Sequence, residues 1–356
     1  MIQAVDHVRT MAPYALANLG GATVTSLAQN ESAFAPSPTA LAAGEAALRD
    51  APLYPDPDWG DLCAAIAEAH ELPAGDILCG AGSMELIGCL IRAFTAQGDE
   101  VLGTAHGYLF ARTAAQQAGA CFVSVPEPDY TVSVRLLLEA VTTATKIVFV
   151  CNPGNPTGTR LPGAELIRLR KNLRSDILLV VDQAYAEFDP QDPASVFDLV
   201  GNGDTAVLRT FSKAYGLAGC RVGWGLFPPG VALEMRKLMN PNNISGVAQA
   251  MAAAAVRDQA HMLDVVAHTA ALRERAAGRL RAIGLDVPQS HTNFILIPFE
   301  NDATAAQADQ ALRSAGLLLR GMAGYGLPQC LRATVGRADA MERMCDVLER
   351  FMEGVV

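Results

Sequence analysis

Between residues 77 and 227 short apolar runs alternate with amphipathic stretches. A strand beginning at Ile77 gives way, through a glycine turn, to a helix that continues to Phe94. The runs at 100–103, 120–125, 146–150, 177–181 and 206–210 read as strands. The intervening patterns at 110–118 and 133–141 read as helices, and Pro162 opens another, where its missing N–H costs nothing. Strand and helix in alternation predict a mostly parallel sheet flanked by helices. Upstream, residues 1–38 read as irregular, and 40–49 and 61–70 as helical. Pro55 and Pro57 exclude regular helix between those two. The texture changes beyond Pro228. A helix at 231–239 is broken at Pro241, and long Ala-rich helices fill 247–283. Strands at 292–297, 317–320 and 330–335, with helices at 303–314 and 338–352, make a small α+β unit. The predicted class is α/β, with a large domain over 39–245 and a small C-terminal domain over 246–356.

Composition narrows the function classes. A chain of 356 residues that is 51% hydrophobic can bury a sizeable core. A formal net charge of −10 argues against a nucleic-acid partner, although local arginines can still bind small anions. No apolar stretch reaches transmembrane length, and residues 1–7 show no signal-peptide pattern, so a cytoplasmic protein without a membrane partner is expected. The eight cysteines are scattered without metal-type pairing; reduced thiols and no metal are expected.

Candidate chemistry collects at the ends of three successive strands. The run at 146–150 leads into Asn155, the run at 177–181 into Asp182 and Tyr185, and the run at 206–210 into Ser212, Lys213 and Arg221. Strand ends are where open α/β sheets place their ligands. Lys213 is the only lysine between Lys171 and Lys237, and a lysine desolvated at such a position becomes nucleophilic. Pyridoxal 5′-phosphate asks for this set: an amine for its aldehyde carbon, a carboxylate for its ring nitrogen, donors for its phenolic oxygen, and a cation with backbone amides for its phosphate. The glycine turn before the helix at 83 offers those amides at Gly82, Ser83 and Met84. Tyr108 offers a flat apolar face for a flat ring. No Gly-x-Gly-x-x-Gly fingerprint follows the first strand, which removes a nucleotide-binding dehydrogenase.

The phrases NPGNPTG, VVDQAYAEF and RTFSKAYGLAGCRVGW resemble those of fold-type-I aminotransferases, most closely the histidinol-phosphate aminotransferase family. The resemblance runs from Pro13-Tyr14 to LRATVG at 331–336. It implies a PLP fold-type-I large domain and an arm over 1–38 that joins the small domain. It implies Lys213, Asp182 and Tyr185 as catalytic residues, and Arg221 and Ser212 at the phosphate. Tyr54 would reach the phosphate of a second subunit, so the resemblance implies a homodimer with shared sites. Tyr14, Asn30, Arg320 and Arg332 would face the substrate. Arg332 matches an arginine that grips a carboxylate, and Arg320 one that faces the substrate's distal end. The implied reaction is ping-pong transfer between an amino donor, histidinol phosphate or a related amino acid, and the 2-oxo acid 2-oxoglutarate. A broad-range or aromatic aminotransferase, a decarboxylase of a phosphorylated amino acid, and a non-catalytic protein on the same scaffold remain open. This chain departs from the family at Met84, where an acidic residue is common, and at Ala33 and Ala35, which replace a proline and a glycine.

Overall fold

The computed structural model describes residues 2–11, 24–190 and 196–354. Its strands are β1 (Thr25–Ser26), β2 (Ile77–Gly80), β3 (Glu100–Thr104), β4 (Cys121–Val125), β5 (Thr145–Cys151), β6 (Leu178–Asp182), β7 (Thr205–Thr210), β8 (Gly223–Leu226), β9 (Phe294–Pro298), β10 (Leu317–Leu318), β11 (Arg320–Gly321) and β12 (Cys330–Thr334). The helices are α1 (Asp6–Arg9), α2 (Pro38–Ala47), α3 (Gly60–His70), α4 (Ser83–Phe94), α5 (Leu109–Gln117), α6 (Val134–Glu139), α7 (Gly163–Asn172), α8 (Pro229–Arg236), α9 (Gly246–Arg257), α10 (Gln259–Ala282), α11 (Asp302–Ser314) and α12 (Ala338–Met352).

Among the described residues one sheet runs β2-β8-β7-β6-β5-β3-β4. The pairs from β7 to β4 are parallel, and β8 is antiparallel to both its neighbours. Strands β5, β6 and β7 are therefore adjacent and point the same way, so their carboxyl ends open on one edge. Each is almost wholly buried, as strands covered by helices on both faces must be. Helix α4 turns Leu86, Leu90, Ile87 and Ile91 inward at helical spacing, each burial worth roughly 1.5–3 kcal/mol. Ser37 and Ser245 cap α2 and α9 by accepting from the amides of Ala40 and Ala248.

A second core lies between β9, β12, α11, α12 and the later half of α10. Helix α9 does not belong to it. Ala248, Ala252, Ala253, Ala255 and Val256 bury with the first core, where α9 packs on α2 and α3. The change of core therefore falls within α10, beyond the boundary expected at 245. Small alanine side chains allow this close packing, which a reading of local texture assigns to the linker. The expected strand at 317–320 is also divided: β10 pairs with β1, whereas β11 pairs with β12. The arm after β1 is tied to the smaller unit on both sides, since the Leu27 amide donates to Leu318 O and the Thr334 amide to Leu27 O, each at 2.8 Å. No helix among the described residues is long and apolar enough to cross a membrane.

Candidate active site

A cavity of about 540 Å³ opens at the carboxyl ends of β5, β6 and β7. Its walls include Asn155, Asp182, Tyr185, Ser212, Lys213 and Arg221 from the larger unit. Arg320, Tyr325 and Arg332 come from the smaller unit, and residues 28–31 of the arm complete the rim. The three strand ends identified from sequence thus converge, as does Tyr108 ahead of α5.

Asp182 ends β6 and is 2% exposed. Its Oδ1 accepts from the Ala184 amide at 3.2 Å. Burial raises its pKa to about 7, against the opposing pull of that amide and of Lys213. Such a carboxylate is poised to accept a cation. Lys213 Nζ donates to Asn30 O at 3.0 Å and Gln29 O at 3.4 Å, and lies 5.9 Å from the Tyr185 ring centre. Burial first, then the charges of Arg332 and Arg221, lower its pKa to about 8, although Glu31 and Asp182 oppose the shift. A lysine so placed holds a substantial neutral fraction near physiological pH.

Tyr185 Oη accepts from Asn30 Nδ2 at 2.9 Å and from Asn155 Nδ2 at 3.3 Å. Phe294 meets its ring edge-on at 5.2 Å. Burial holds the phenol's pKa above the usual tyrosine value. Arg332 Nη1 donates to Asn155 Oδ1 at 2.6 Å and its Nη2 to Ala28 O at 3.1 Å. Its Nε is buried without a hydrogen-bond partner among the described residues.

The anion-binding corner forms where α4 begins. Gly82 has φ +78°, and a methyl group added there would run into the Arg221 guanidinium. Arg221 therefore lies beside the turn that opens α4, where the first amides of a helix have no partner within the helix itself. Its Nη1 donates to Ser212 Oγ at 3.4 Å and to Ala218 O at 3.1 Å. Glu85 Oε2 accepts from the Ala81 amide and from Asn243 Nδ2, each at 2.6 Å, which pins the turn.

A family description for aminotransferase class I and II matches residues 22–348. The chain belongs to that family. It is a pyridoxal-phosphate-dependent aminotransferase with the α/β fold of that group. A histidinol-phosphate aminotransferase of Hyphomonas neptunium is 42% identical over 98% of this chain and 97% of its own length. One of Paramagnetospirillum magneticum is 44% identical over 92% of each. The crystal structure of the histidinol-phosphate aminotransferase from Sinorhizobium meliloti, in complex with pyridoxal 5′-phosphate, superposes with a TM-score of 0.92 at 28% identity, covering 100% of this chain and 99% of that one.

The remaining sequence candidates fall in different places. Tyr14 lies outside the described residues. Tyr54 is 89% exposed and does not line the cavity of its own chain. Asn30 lines the cavity, but its polar groups are engaged by the protein: its amide with Thr334, its Nδ2 with Tyr185, and its carbonyl with Lys213 and Asn293. It is a hub of the site. Tyr325, Glu85 and Asn243 were not anticipated. An aromatic in a glycine-rich turn carries no periodic signal, and the Asn243–Glu85 contact spans 158 residues.

Proposed function

We propose that this aminotransferase moves an amino group between histidinol phosphate, or a closely related donor, and 2-oxoglutarate, the two half-reactions sharing one site in ping-pong order. The observation that carries the substrate reading is the pairing of Arg320 with Arg332. They stand directly opposite in the antiparallel register of β11 and β12, and both line the cavity. Two arginines at facing positions concentrate positive charge on this wall of the cavity, which suits an anionic ligand. The orphaned Nε of Arg332 gives a carboxylate a further donor. The names of the relatives support the same donor.

The residues present fit pyridoxal phosphate. Asp182 is a buried carboxylate with little protein compensation, as a cationic ring nitrogen requires. Arg221, Ser212, Gly82, Ser83 and Met84 would hold the phosphate; Asn155 and Tyr185 would meet the phenolic oxygen, and Tyr108 the ring face. Bound there, the cofactor supplies an electron sink for the bond broken at the substrate's α-carbon. Lys213 holds the cofactor and then moves the proton at that carbon. Arg332 orients the α-carboxylate of 2-oxoglutarate, and Arg320 the distal anion.

Single-turnover spectra with a panel of donors test this. Arg332→Ala is expected to damage the 2-oxoglutarate half-reaction most. Arg320→Ala should weaken both histidinol phosphate and glutamate while sparing phenylalanine. Losing one buried charge-assisted pair costs on the order of 2–5 kcal/mol, or roughly 30-fold and upward. Equal losses for every substrate, or a wild type inert to phosphorylated donors, would overturn the assignment.

The active form is proposed to be a homodimer in the cytoplasm. Leu48, Leu53 and Tyr54 stand exposed along one stretch of chain, which supports a covered apolar face. Sedimentation at assay concentration should show dimers; fully active monomers would contradict the shared site. Buried thiols such as Cys63 and Cys79, 3.9 Å apart and unbridged, suit a reducing compartment.

A further inference from the structure

Besides Arg320 and Arg332 on its strands, the smaller unit reaches the cavity through a turn. After β11 the chain passes Met322 and bends at Ala323–Tyr325. The Tyr325 and Leu327 amides both donate to Met322 O, at 2.9 and 3.2 Å. Met322, Tyr325 and Leu327 bury with Leu296 and Cys330, and Leu109 and Tyr130 of the larger unit pack against them. This seam is apolar, so it holds the units together without fixing their relative position finely. Tyr325 nevertheless lines the cavity beside Arg320.

A short directional contact crosses the seam here, beside the longer one between Tyr130 Oη and Cys330 Sγ at 4.0 Å. His106 Nδ1 lies 2.8 Å from Tyr325 O. A carbonyl only accepts, so the imidazole carries a proton on Nδ1. His106 is itself anchored, because its amide donates to Glu127 Oε1 at 3.1 Å and Glu127 is buried. Gly326 closes the turn with φ +73°, a conformation that favours glycine, and lies next to the imidazole: a methyl group added there would sit in ordinary contact, 3.8 Å from Nδ1. His106 is two residues before Tyr108, on the loop that enters α5. The bond thus ties the loop at one wall of the cavity to the turn at the other.

We propose that His106 is a positioning residue for the distal end of the substrate: through the Tyr325 carbonyl it fixes the turn that follows Arg320, and so favours amino donors with a distal anion over small ones. The inference rests on the substrate reading given above. Apolar packing tolerates small sliding, whereas a hydrogen bond weakens steeply when bent or stretched. A shift of about 1 Å at a positioning group is enough to cost substantial rate or affinity.

Two replacements separate this role from filling space. His106→Leu keeps apolar bulk and removes the donor. His106→Asn places an amide nitrogen near the position of Nδ1 and keeps the bond. With histidinol phosphate, His106→Leu should raise KM roughly five- to tenfold, the loss of one neutral hydrogen bond. Its kcat, its cofactor absorbance and its KM for L-alanine should change by less than about twofold, and His106→Asn should behave as wild type. A residue that only supports packing would show the reverse order, with leucine the milder change, or equal losses for every donor accompanied by a lower Tm. Either pattern would overturn the proposal. If the wild type does not use histidinol phosphate, the substrate reading fails separately. The same comparison is then made with glutamate, whose side-chain carboxylate is the distal anion, and the leucine–asparagine difference still decides.

Discussion

Replacing Lys213 by alanine is expected to abolish turnover, a fall of more than about 10⁴-fold. Loss of proton transfer alone accounts for about 10²–10⁴. The remainder follows because the same nitrogen is assigned the covalent hold on the cofactor. The visible absorbance of the attached cofactor should disappear, and borohydride reduction should label no peptide. Stable labelling of another lysine would move the assignment. The cofactor-free protein supplies an independent readout. Folding lowers the Lys213 pKa from an ordinary 10.5 to about 8, mainly by burial. The unfolded chain then binds more protons between those values. Wild-type stability should therefore rise with pH across that window, and the full cost of the buried ammonium is present below it. Lys213→Ala removes that slope. Urea midpoints of both cofactor-free proteins between pH 7 and 10.5 would show it; parallel curves would mean that Lys213 is not desolvated.

The strand ends were legible because three apolar runs each pass directly into a polar residue. Asn155, Asp182 and Lys213 then follow from the parallel order β5, β6, β7. Helix starts were legible where a local device marks them, such as the glycine turn at Gly82 or Pro162 before α7. What local pattern could not carry is closure over distance. Asn30 reads as a turn residue in an irregular arm, yet its carbonyl accepts from Lys213, 183 residues away, and from Asn293, 263 away. Its φ of +55° is available to asparagine and fixed by those partners. Strand β8 was hidden for another reason. Its glycines at 223 and 225 weaken the apolar signal, although the strand inserts between β7 and β2 and brings Arg221 to the start of α4. Tyr325 and His106 were missed because their contact joins two units through a backbone atom that any residue supplies.

The site is electrostatically uncomfortable, and the discomfort indicates what it binds. Arg332 is held by neutral acceptors, Asn155 Oδ1 and Ala28 O, with Arg320 opposite it in the sheet. Its charge contributes to the depressed pKa of Lys213, while the arm's carbonyls at 29 and 30 receive the ammonium. Sites that shift several pKa values at once are usually built for chemistry. Here the two shifts run toward each other. The lysine approaches neutrality from above and the aspartate from below, so the protein groups alone do not stabilise both charges. A ligand with a cationic ring nitrogen and separate anionic groups meets each demand at a different wall.

Asp182→Asn is expected to separate function from stability. Asparagine keeps the volume and a carbonyl that can accept from the Ala184 amide, but it brings no charge to a cationic ring nitrogen. Removing one partner of a buried ion pair costs about 3–5 kcal/mol. Turnover should therefore fall roughly 10²–10⁴-fold, since each 1.36 kcal/mol is about tenfold. The cofactor should remain bound, because Lys213 and the anion corner at α4 are untouched. Near-normal turnover would refute the charge role. Without cofactor the sign reverses. Folding raises the Asp182 pKa from 3.8 to about 7. The folded chain then binds the extra proton between those values, so its stability falls as pH rises through that window and stays low above it. The asparagine variant has no such proton to lose. At pH 8 it should be the more stable cofactor-free protein, by up to about 4 kcal/mol at 1.36 kcal/mol per pKa unit, and at pH 4 the two should nearly coincide. Denaturant titrations at both values measure this directly. A constant difference between the proteins across that range would mean that the carboxylate is solvated in the cofactor-free protein, and the case for a desolvated charge at Asp182 would fall with it.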